Sequence, residues 1–238
     1  MQRGGDYLFS ELIIGYLFLG GTGAGACFIL AIMGLFVPRD ELEVLQLRSD
    51  ERTMRPKLRV PGSYRSLFAA GYVVALVTLA LGILCLALDL GHLDRIILFA
   101  ISPTPSYITI GAYALLACIL ASSTLLLHWS GTLSHSSIWL LRVLELIAAG
   151  IAFVVMLYTG LLLESLRSVP LWSNPWLPVL FVLSSISCGA ALVLIVARIT
   201  GAQQLFTKAL TNLVSIDAII IALEAVVLVL FVTASTRG

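Results

Sequence analysis

The chain alternates between long apolar runs and shorter segments that hold the prolines and most of the charges. Each of six runs is long enough to cross the hydrocarbon core of a bilayer as a helix. The runs lie at about 12–37, 67–88, 108–127, 138–163, 177–197 and 213–233. The longest connecting segment, 38–66, is a basic loop. This pattern predicts an all-α integral membrane protein whose residues 1–238 form a single membrane domain of about six transmembrane helices.

The composition agrees with this prediction. With 60% hydrophobic and only 11% charged residues, a chain of 238 residues could not hide its apolar side chains in one water-soluble core. The net charge of +1 gives no reason to expect nucleic acid as a partner. A cleavable signal peptide is not expected either, because Asp6 and Glu11 are acidic and the first apolar run is long enough to span.

The arrangement of Lys and Arg predicts the orientation, because positively charged loops stay on the cytoplasmic side. Nine of these residues fall in the loop at 38–66 and beside the loop before the sixth run, against four on the other side. Both termini are therefore expected outside the cytoplasm.

The first apolar run contains four glycines in the stretch YLFLGGTGAGA, residues 16–26. In water each would cost a helix about 1 kcal/mol relative to alanine, whereas in lipid small residues let two helix backbones approach closely. The run is therefore predicted to be a packing seam. FLGGTGAGA at 18–26 also matches VLSSISCGA at 182–190, with an offset of 164. Two interpretations stay open: a duplicated bundle, or the general similarity of small-residue seams.

Cysteine and histidine are placed in ways that do not indicate a metal site. The cysteines lie within apolar runs without CxxC spacing, and the histidines fall at run ends or in loops. No iron–sulfur, zinc or b-type haem constellation is expected in this chain, and the cysteines are interpreted as packing residues. The residues concerned are Cys27, Cys85, Cys118, Cys188, His92, His128 and His135.

Four ionisable residues lie inside the predicted spans. Arg142 and Glu145 are at i and i+3 on the fourth run, and Asp217 and Glu224 are at i and i+7 on the sixth, so each pair shares a helical face. Because such groups are costly in a bilayer, they tend to face one another or water. One interpretation is a structural ion pair between Arg142 and Glu145; the other is a proton path through all four residues.

A second group of polar residues gathers near the predicted outer face. Asp89 and His92 end the second run in LALDLGH, and Tyr158 lies about a turn and a half inside the end of the fourth, in LYTGLLLES. A phenol at that depth can donate a hydrogen bond into a cavity, as a quinone carbonyl would require.

Taken in order, five segments resemble the NrfD/PsrC family, the membrane subunits of polysulfide-reductase-like complexes. They are YLFLGGTGAG, LALDLGH, LYTGLLLES, PLWSNPWLPVLFVLSSISCGA and SIDAIIIALEAVVLVLF, and the resemblance covers about residues 7–231. It implies a quinone-reactive membrane anchor without prosthetic groups of its own. It also implies a ferredoxin-like iron–sulfur subunit on the outer face and, through it, a molybdopterin catalytic subunit.

The sequence departs from the family pattern in two ways. Family members commonly have eight or more helices in two four-helix bundles, so six helices would form one bundle and part of a second, which another membrane subunit could complete. In the family an Asn and a His early in the first helix and the Tyr of YTG hold the quinone. Here Tyr158 is retained, but the first-helix positions fall near Leu12 and Gly15. Glu11, Tyr16, Asp89 or His92 would have to substitute.

The expected function is that of a quinone-interacting anchor subunit, non-catalytic by itself, in the cytoplasmic membrane of a bacterium or archaeon. Tyr158 would bind one carbonyl of the quinone, menaquinone in the first instance, and Asp89 or His92 would exchange protons at the other. The alternatives are a proton or solute transporter and a purely structural anchor whose quinone site has decayed.

Overall fold

The computed structural model describes residues 11–38, 62–89, 107–132, 138–164, 174–204 and 206–235, and these residues form six α-helices. The helices are α1 (Glu11–Leu35), α2 (Gly62–Asp89), α3 (Tyr107–Trp129), α4 (Ile138–Glu164), α5 (Trp176–Ile199) and α6 (Thr207–Ser235). A 3₁₀ turn at Ala202–Gln204 connects the last two. All but α3 are long and apolar enough to cross a membrane, and in α3 the apolar stretch is Tyr113–Trp129. The prediction of an all-α membrane protein is confirmed.

Two helices begin earlier than the apolar runs indicated. Helix α2 starts at Gly62 rather than near 67, and α6 starts at Thr207 rather than near 213. The first turns, GSYRS and TKALTN, are polar, so a search for apolar residues leaves them out. The two turns lie close together, with the Tyr64 and Phe206 rings edge to face at 4.7 Å. The loop predicted at 38–66 is correspondingly shorter.

Helix α1 is the centre of the fold. It packs against α2, α4 and α5, while α3 packs against α2 and α4 to complete a four-helix bundle of α1–α4. Helix α5 lies on the outside of this bundle against α1 and α4, and α6 packs mainly against α5. Most of α1 is buried and nearly all of α6 is exposed. The glycine-rich helix is thus the one that neighbours enclose.

The α1 glycines lie where helix backbones touch, which confirms the predicted packing seam. A Cβ at Gly25 would lie 2.7 Å from the carbonyl carbon of Ser185, and one at Gly189 would lie 2.7 Å from the carbonyl oxygen of Gly25. Gly21 faces Ser185 in the same way, with 2.6 Å to its Oγ. On another face of α1, a Cβ at Gly23 would lie 2.8 Å from Leu79 of α2.

The α1–α5 contact also bears on the internal repeat. Gly21 faces Ser185 and Gly25 faces Gly189, and both pairs are separated by the offset of 164. The matching segments therefore run parallel and in register against each other. A pseudo-two-fold axis along the membrane normal would produce this arrangement, so the geometry favours the duplication.

The helices define two sides of the fold. Asn174, just before α5, donates a hydrogen bond to the carbonyl of Phe231 near the end of α6, at 3.2 Å. Because α1 and α5 run parallel, α1 begins and α6 ends on one side, which we call the terminal side. On the opposite side α1 ends, α2 begins, and Arg142 of α4 reaches the last turn of α1.

Candidate functional site

Two buried tyrosines lie near the terminal side, one on α1 and one on α4. Tyr158 of α4 and Tyr16 of α1 are 6% and 4% exposed, and their phenols are close enough to interact electrostatically. Two of the five residues predicted for a quinone site are thus buried in the same bundle and within electrostatic reach of each other. Each phenol is able to donate or accept a hydrogen bond.

Small residues fix the position of Tyr158. A Cβ at Gly111 of α3 would overlap its ring, so the phenol lies directly on the α3 backbone. Two residues further along α4, Gly160 packs against Pro178 of α5. A Cβ added at Gly160 would lie 3.1 Å from the Cβ of Pro178. The intervening Thr159 hydroxyl donates to the Met156 carbonyl at 2.7 Å and is satisfied within its own helix. The YTG sequence therefore places one phenol and lets α3 and α5 close around it.

The other predicted quinone-site residues lie at the edge of the described structure or beyond it. Glu11 is the first residue of α1 and Asp89 the last of α2, but their side chains are outside the described part, and so is His92. Gly15 packs towards α2, where a Cβ would lie 3.6 Å from Cys85 Sγ.

On the opposite side, Arg142 and Glu145 of α4 form an ion pair, and Arg142 also connects α4 to the end of α1. The nearest nitrogen and oxygen of the two side chains are 3.8 Å apart, and Glu145 is fully buried. The Arg142 guanidinium donates hydrogen bonds to the carbonyl of Gly34, in the last turn of α1, and to that of Val37, just after the helix. Gly34 also gives the carboxylate its space, because a Cβ there would lie 2.7 Å from Glu145 Cδ.

Two aromatic side chains that sequence reasoning did not single out, those of Tyr72 and Trp129, lie buried in the bundle together with His128. Tyr72 Oη, Trp129 Nε1 and His128 Nε2 are buried and have no hydrogen-bond partner among the described residues, and the same is true of both Glu145 carboxylate oxygens. Tyr72 and Trp129 lie within electrostatic reach of Glu145, although the indole is outside hydrogen-bond geometry. In the sequence Tyr72 and Trp129 resemble ordinary core residues, and only the fold places them near a carboxylate.

The two acids of α6 line separate cavities on the far side of α1. Asp217 borders a cavity of about 550 Å³, and Glu224 borders one of about 140 Å³ together with Thr22, Ser184 and Ser185. Cys188 of α5 lies within electrostatic reach of both acids. The predicted proton-path residues thus form two groups: Arg142 and Glu145 inside the four-helix bundle, and Asp217 and Glu224 along the α5–α6 face.

The described residues contain no group of three or more His, Cys, Asp and Glu side chains that could hold a metal ion. Cys27 and Cys118 instead lie in the bundle core, where the Ser122 hydroxyl donates to Cys27 Sγ at 3.0 Å. These two thiols pack α1 against α3.

Comparison with known proteins identifies the family. The family model described as "Polysulphide reductase, NrfD" matches residues 2–237. The sequence is 27% identical over 240 residues to the polysulfide reductase C subunit of Wolinella succinogenes, covering 94% of this protein and 69% of that relative. It is 48% identical over 58 residues to protein NrfD of Escherichia coli strain K12, covering 24% of this protein and 18% of that relative. No solved structure matches it. With nearly its whole length matched, this chain belongs to the NrfD polysulphide reductase family.

Proposed function

We propose that this chain is the quinone-interacting membrane subunit of an oxidoreductase complex, which passes electrons between the membrane quinone pool and an iron–sulfur subunit bound on the terminal side. The observation that carries the proposal is the Tyr16–Tyr158 pair. These phenols are buried, within electrostatic reach of each other and near the terminal-side ends of α1 and α4, and Tyr158 belongs to the YTG motif of the family.

The two phenols suit a quinone head. Tyr158 donates a hydrogen bond to one carbonyl, and Tyr16, within electrostatic reach of Tyr158, binds the same quinone from the α1 side. Asp89 and His92, at and just after the end of α2, exchange the protons that accompany two-electron reduction or oxidation. The quinone, which we take to be menaquinone, and the partner's clusters supply the redox chemistry, whereas this chain supplies position and proton access.

The partner's place follows from the same site. An electron donor or acceptor for a quinone near the terminal side has to bind on that side, so we propose a ferredoxin-like subunit over residues 89–107 and 164–176. A molybdopterin catalytic subunit would be connected through it, and a further membrane subunit could complete the second bundle. The Lys and Arg arrangement supports a terminal side outside the cytoplasm, and we propose that the membrane is the cytoplasmic membrane of a bacterium or archaeon.

Replacing Tyr158 by Phe tests the quinone site. The change removes the hydroxyl and keeps the ring against Gly111, so assembly should be normal. Loss of one hydrogen bond should weaken quinone binding by about 0.5–1.5 kcal/mol, and the rate should fall further if the bond strengthens as charge develops on the carbonyl oxygen. Quinone-linked turnover should therefore drop several-fold or more, while activity of the catalytic subunit with an artificial dye is unchanged.

Tyr113→Phe is the matched control, because Tyr113 is an exposed tyrosine on α3 and should tolerate the change. Unchanged quinone-linked turnover in Tyr158→Phe would make Tyr158 an ordinary interface aromatic and favour a structural anchor.

We further propose that Arg142, Glu145, Asp217 and Glu224 carry protons to the quinone site. The two groups of residues lie on different faces of α1, so each acid would serve its own segment of the path. Glu224→Gln keeps the shape of the smaller cavity and removes its titratable group. Proton uptake coupled to turnover should slow while assembly persists, and unchanged charge movement in proteoliposomes would reduce Glu224 to a structural role.

A further inference from the structure

The 550 Å³ cavity lies far from the tyrosine pair. It is bounded by the second half of α1, the first turns of α2, the middle of α5 and the first half of α6. Along α1 its lining begins at Phe28, 12 residues after Tyr16, and continues to Pro38. At 1.5 Å per residue, its centre is about 25 Å from Tyr16, in the other half of the membrane. Its volume is within the range of about 300–1,000 Å³ that is typical of small-molecule sites.

The lining of this cavity is aromatic and aliphatic, with few polar groups. Its aromatic residues are Phe28, Phe36, Tyr64, Phe68 and Phe206. Phe68 is held rigidly, because its ring stacks on Trp129 at 4.1 Å. Aromatic faces of this kind suit a flat ring, which can stack on them or meet them edge to face.

One polar group in the lining has an unmet requirement. The Oδ1 atom of Asp217 is buried and has no hydrogen-bond partner among the described residues. A buried carboxyl oxygen without a partner is costly in an apolar setting. The acid can donate to a carbonyl when it is neutral, or accept from a hydroxyl when it is ionised.

The cavity opens to lipid. Phe36 is 82% exposed and Ile216 is 54% exposed, and both are among its lining residues. A ligand that enters between these side chains comes from the hydrocarbon layer, which excludes charged water-soluble molecules.

We propose that this cavity is a second binding site for a membrane quinone, in which the Asp217 carboxyl holds an oxygen of the quinone ring. A quinone combines the three features that the cavity requires: a flat ring, an oxygen that both accepts and donates hydrogen bonds in its two redox forms, and an apolar tail that extends into lipid. A phospholipid acyl chain could fill the volume but offers no hydrogen-bonding group to the Asp217 carboxyl, which lines the cavity. The protein would then bind quinone in both halves of the membrane.

Photolabelling of the intact complex in native membranes tests this site. The probe is an azido-naphthoquinone with a short isoprenoid tail, and labelled peptides are identified by mass spectrometry. Labelling is expected in residues 28–38 and 206–220, separately from any labelling around Tyr158. Unlabelled naphthoquinone should suppress it, and added phospholipid should not.

Two tryptophan variants provide the matched comparison. Ala209 lines the cavity, and Ala209→Trp should fill it and reduce this labelling at least tenfold while labelling around Tyr158 persists. Ala218 is exposed and nine residues further along α6, about 180° around the helix, so Ala218→Trp should leave the labelling unchanged. Asp217→Leu should lower labelling about threefold to tenfold by removing the hydrogen bond, and Asp217→Asn, which keeps a donor, should restore most of it.

Absence of label from both peptides would overturn the proposal. This holds also if the label is absent because another helix covers the cavity. The proposal would equally be overturned by labelling that added phospholipid suppresses and unlabelled quinone does not. Because labelling around Tyr158 is read separately, failure at this cavity is distinguishable from failure of the terminal-side quinone site.

Discussion

The contact between α1 and α5 predicts a large effect of a single methyl group at Gly25. In Gly25→Ala the new Cβ would lie 2.7 Å from the Ser185 carbonyl carbon, whereas ordinary contacts begin at 3.4 Å. The neighbour is backbone, so no side-chain rotation can relieve the overlap. The two helices must therefore separate by at least about 0.7 Å, the difference between these distances, because the Ser185 carbonyl oxygen lies closer still to the new Cβ.

The cost of that separation can be estimated from lost dispersion. A gap of 0.5–1 Å removes about a quarter to a half of the attraction between facing atoms. For a seam of roughly 50 atom pairs at about 0.15 kcal/mol each, losing a third amounts to about 2.5 kcal/mol. This estimate agrees with the range of about 1–3 kcal/mol for overpacked cores.

Gly150→Ala is the control, because an added Cβ at Gly150 of α4 meets nothing within 4 Å. It should be neutral or slightly stabilising, since alanine is the better helix former. Reversible unfolding of the purified protein in mixed detergent micelles, followed by circular dichroism, measures both variants. If Gly25→Ala and Gly150→Ala unfold at the same denaturant fraction, the proposed backbone contact between α1 and α5 is wrong.

Three further outcomes are expected. Arg142→Met should destabilise the protein by about 3 kcal/mol, because it leaves Glu145 unpaired and the Gly34 and Val37 carbonyls without donors. Adding Glu145→Leu should recover part of this loss in a double-mutant cycle. Trp129→Phe should cost about 2 kcal/mol in the same unfolding assay, since its indole is buried against Phe68. By contrast, Trp139→Phe, at a lipid-exposed site, should cost almost nothing, and equal costs would contradict the assigned burial.

The helices were predictable because a chain that crosses lipid has to form all its backbone hydrogen bonds internally. Each helix therefore appears in the sequence as a long apolar run. The polar first turns of α2 and α6 were not, because they extend beyond the apolar window and pack on each other through Tyr64 and Phe206. The glycine seam was predictable in kind, since small residues in an apolar run indicate close packing. Its partner was visible only as the faint match between 18–26 and 182–190.

The candidate site was predictable to a smaller degree. Tyr158 stood out through the YTG motif, and Tyr16 was one of several substitutes for the missing first-helix ligands. That the two phenols lie within electrostatic reach of each other follows from how α1 and α4 pack, which spacing along the sequence does not define. For the same reason the four ionisable residues within the helices could be listed from the sequence, but their division between two faces of α1 could not.

The central position of α1 connects these features. One face of the helix carries Tyr16 and reaches Glu145 through Gly34, while another carries Gly25 and borders the large cavity through Phe28. The backbones of α1 and α5 are in close contact at Gly25, and α1 also packs against α4. Any movement of α1 away from α5 therefore pushes it against α4. A change that separates α1 from α5 should therefore disturb the phenol pair and the large cavity together. A change on the lipid face of α6 should leave both intact, because that surface contacts neither α1 nor α4.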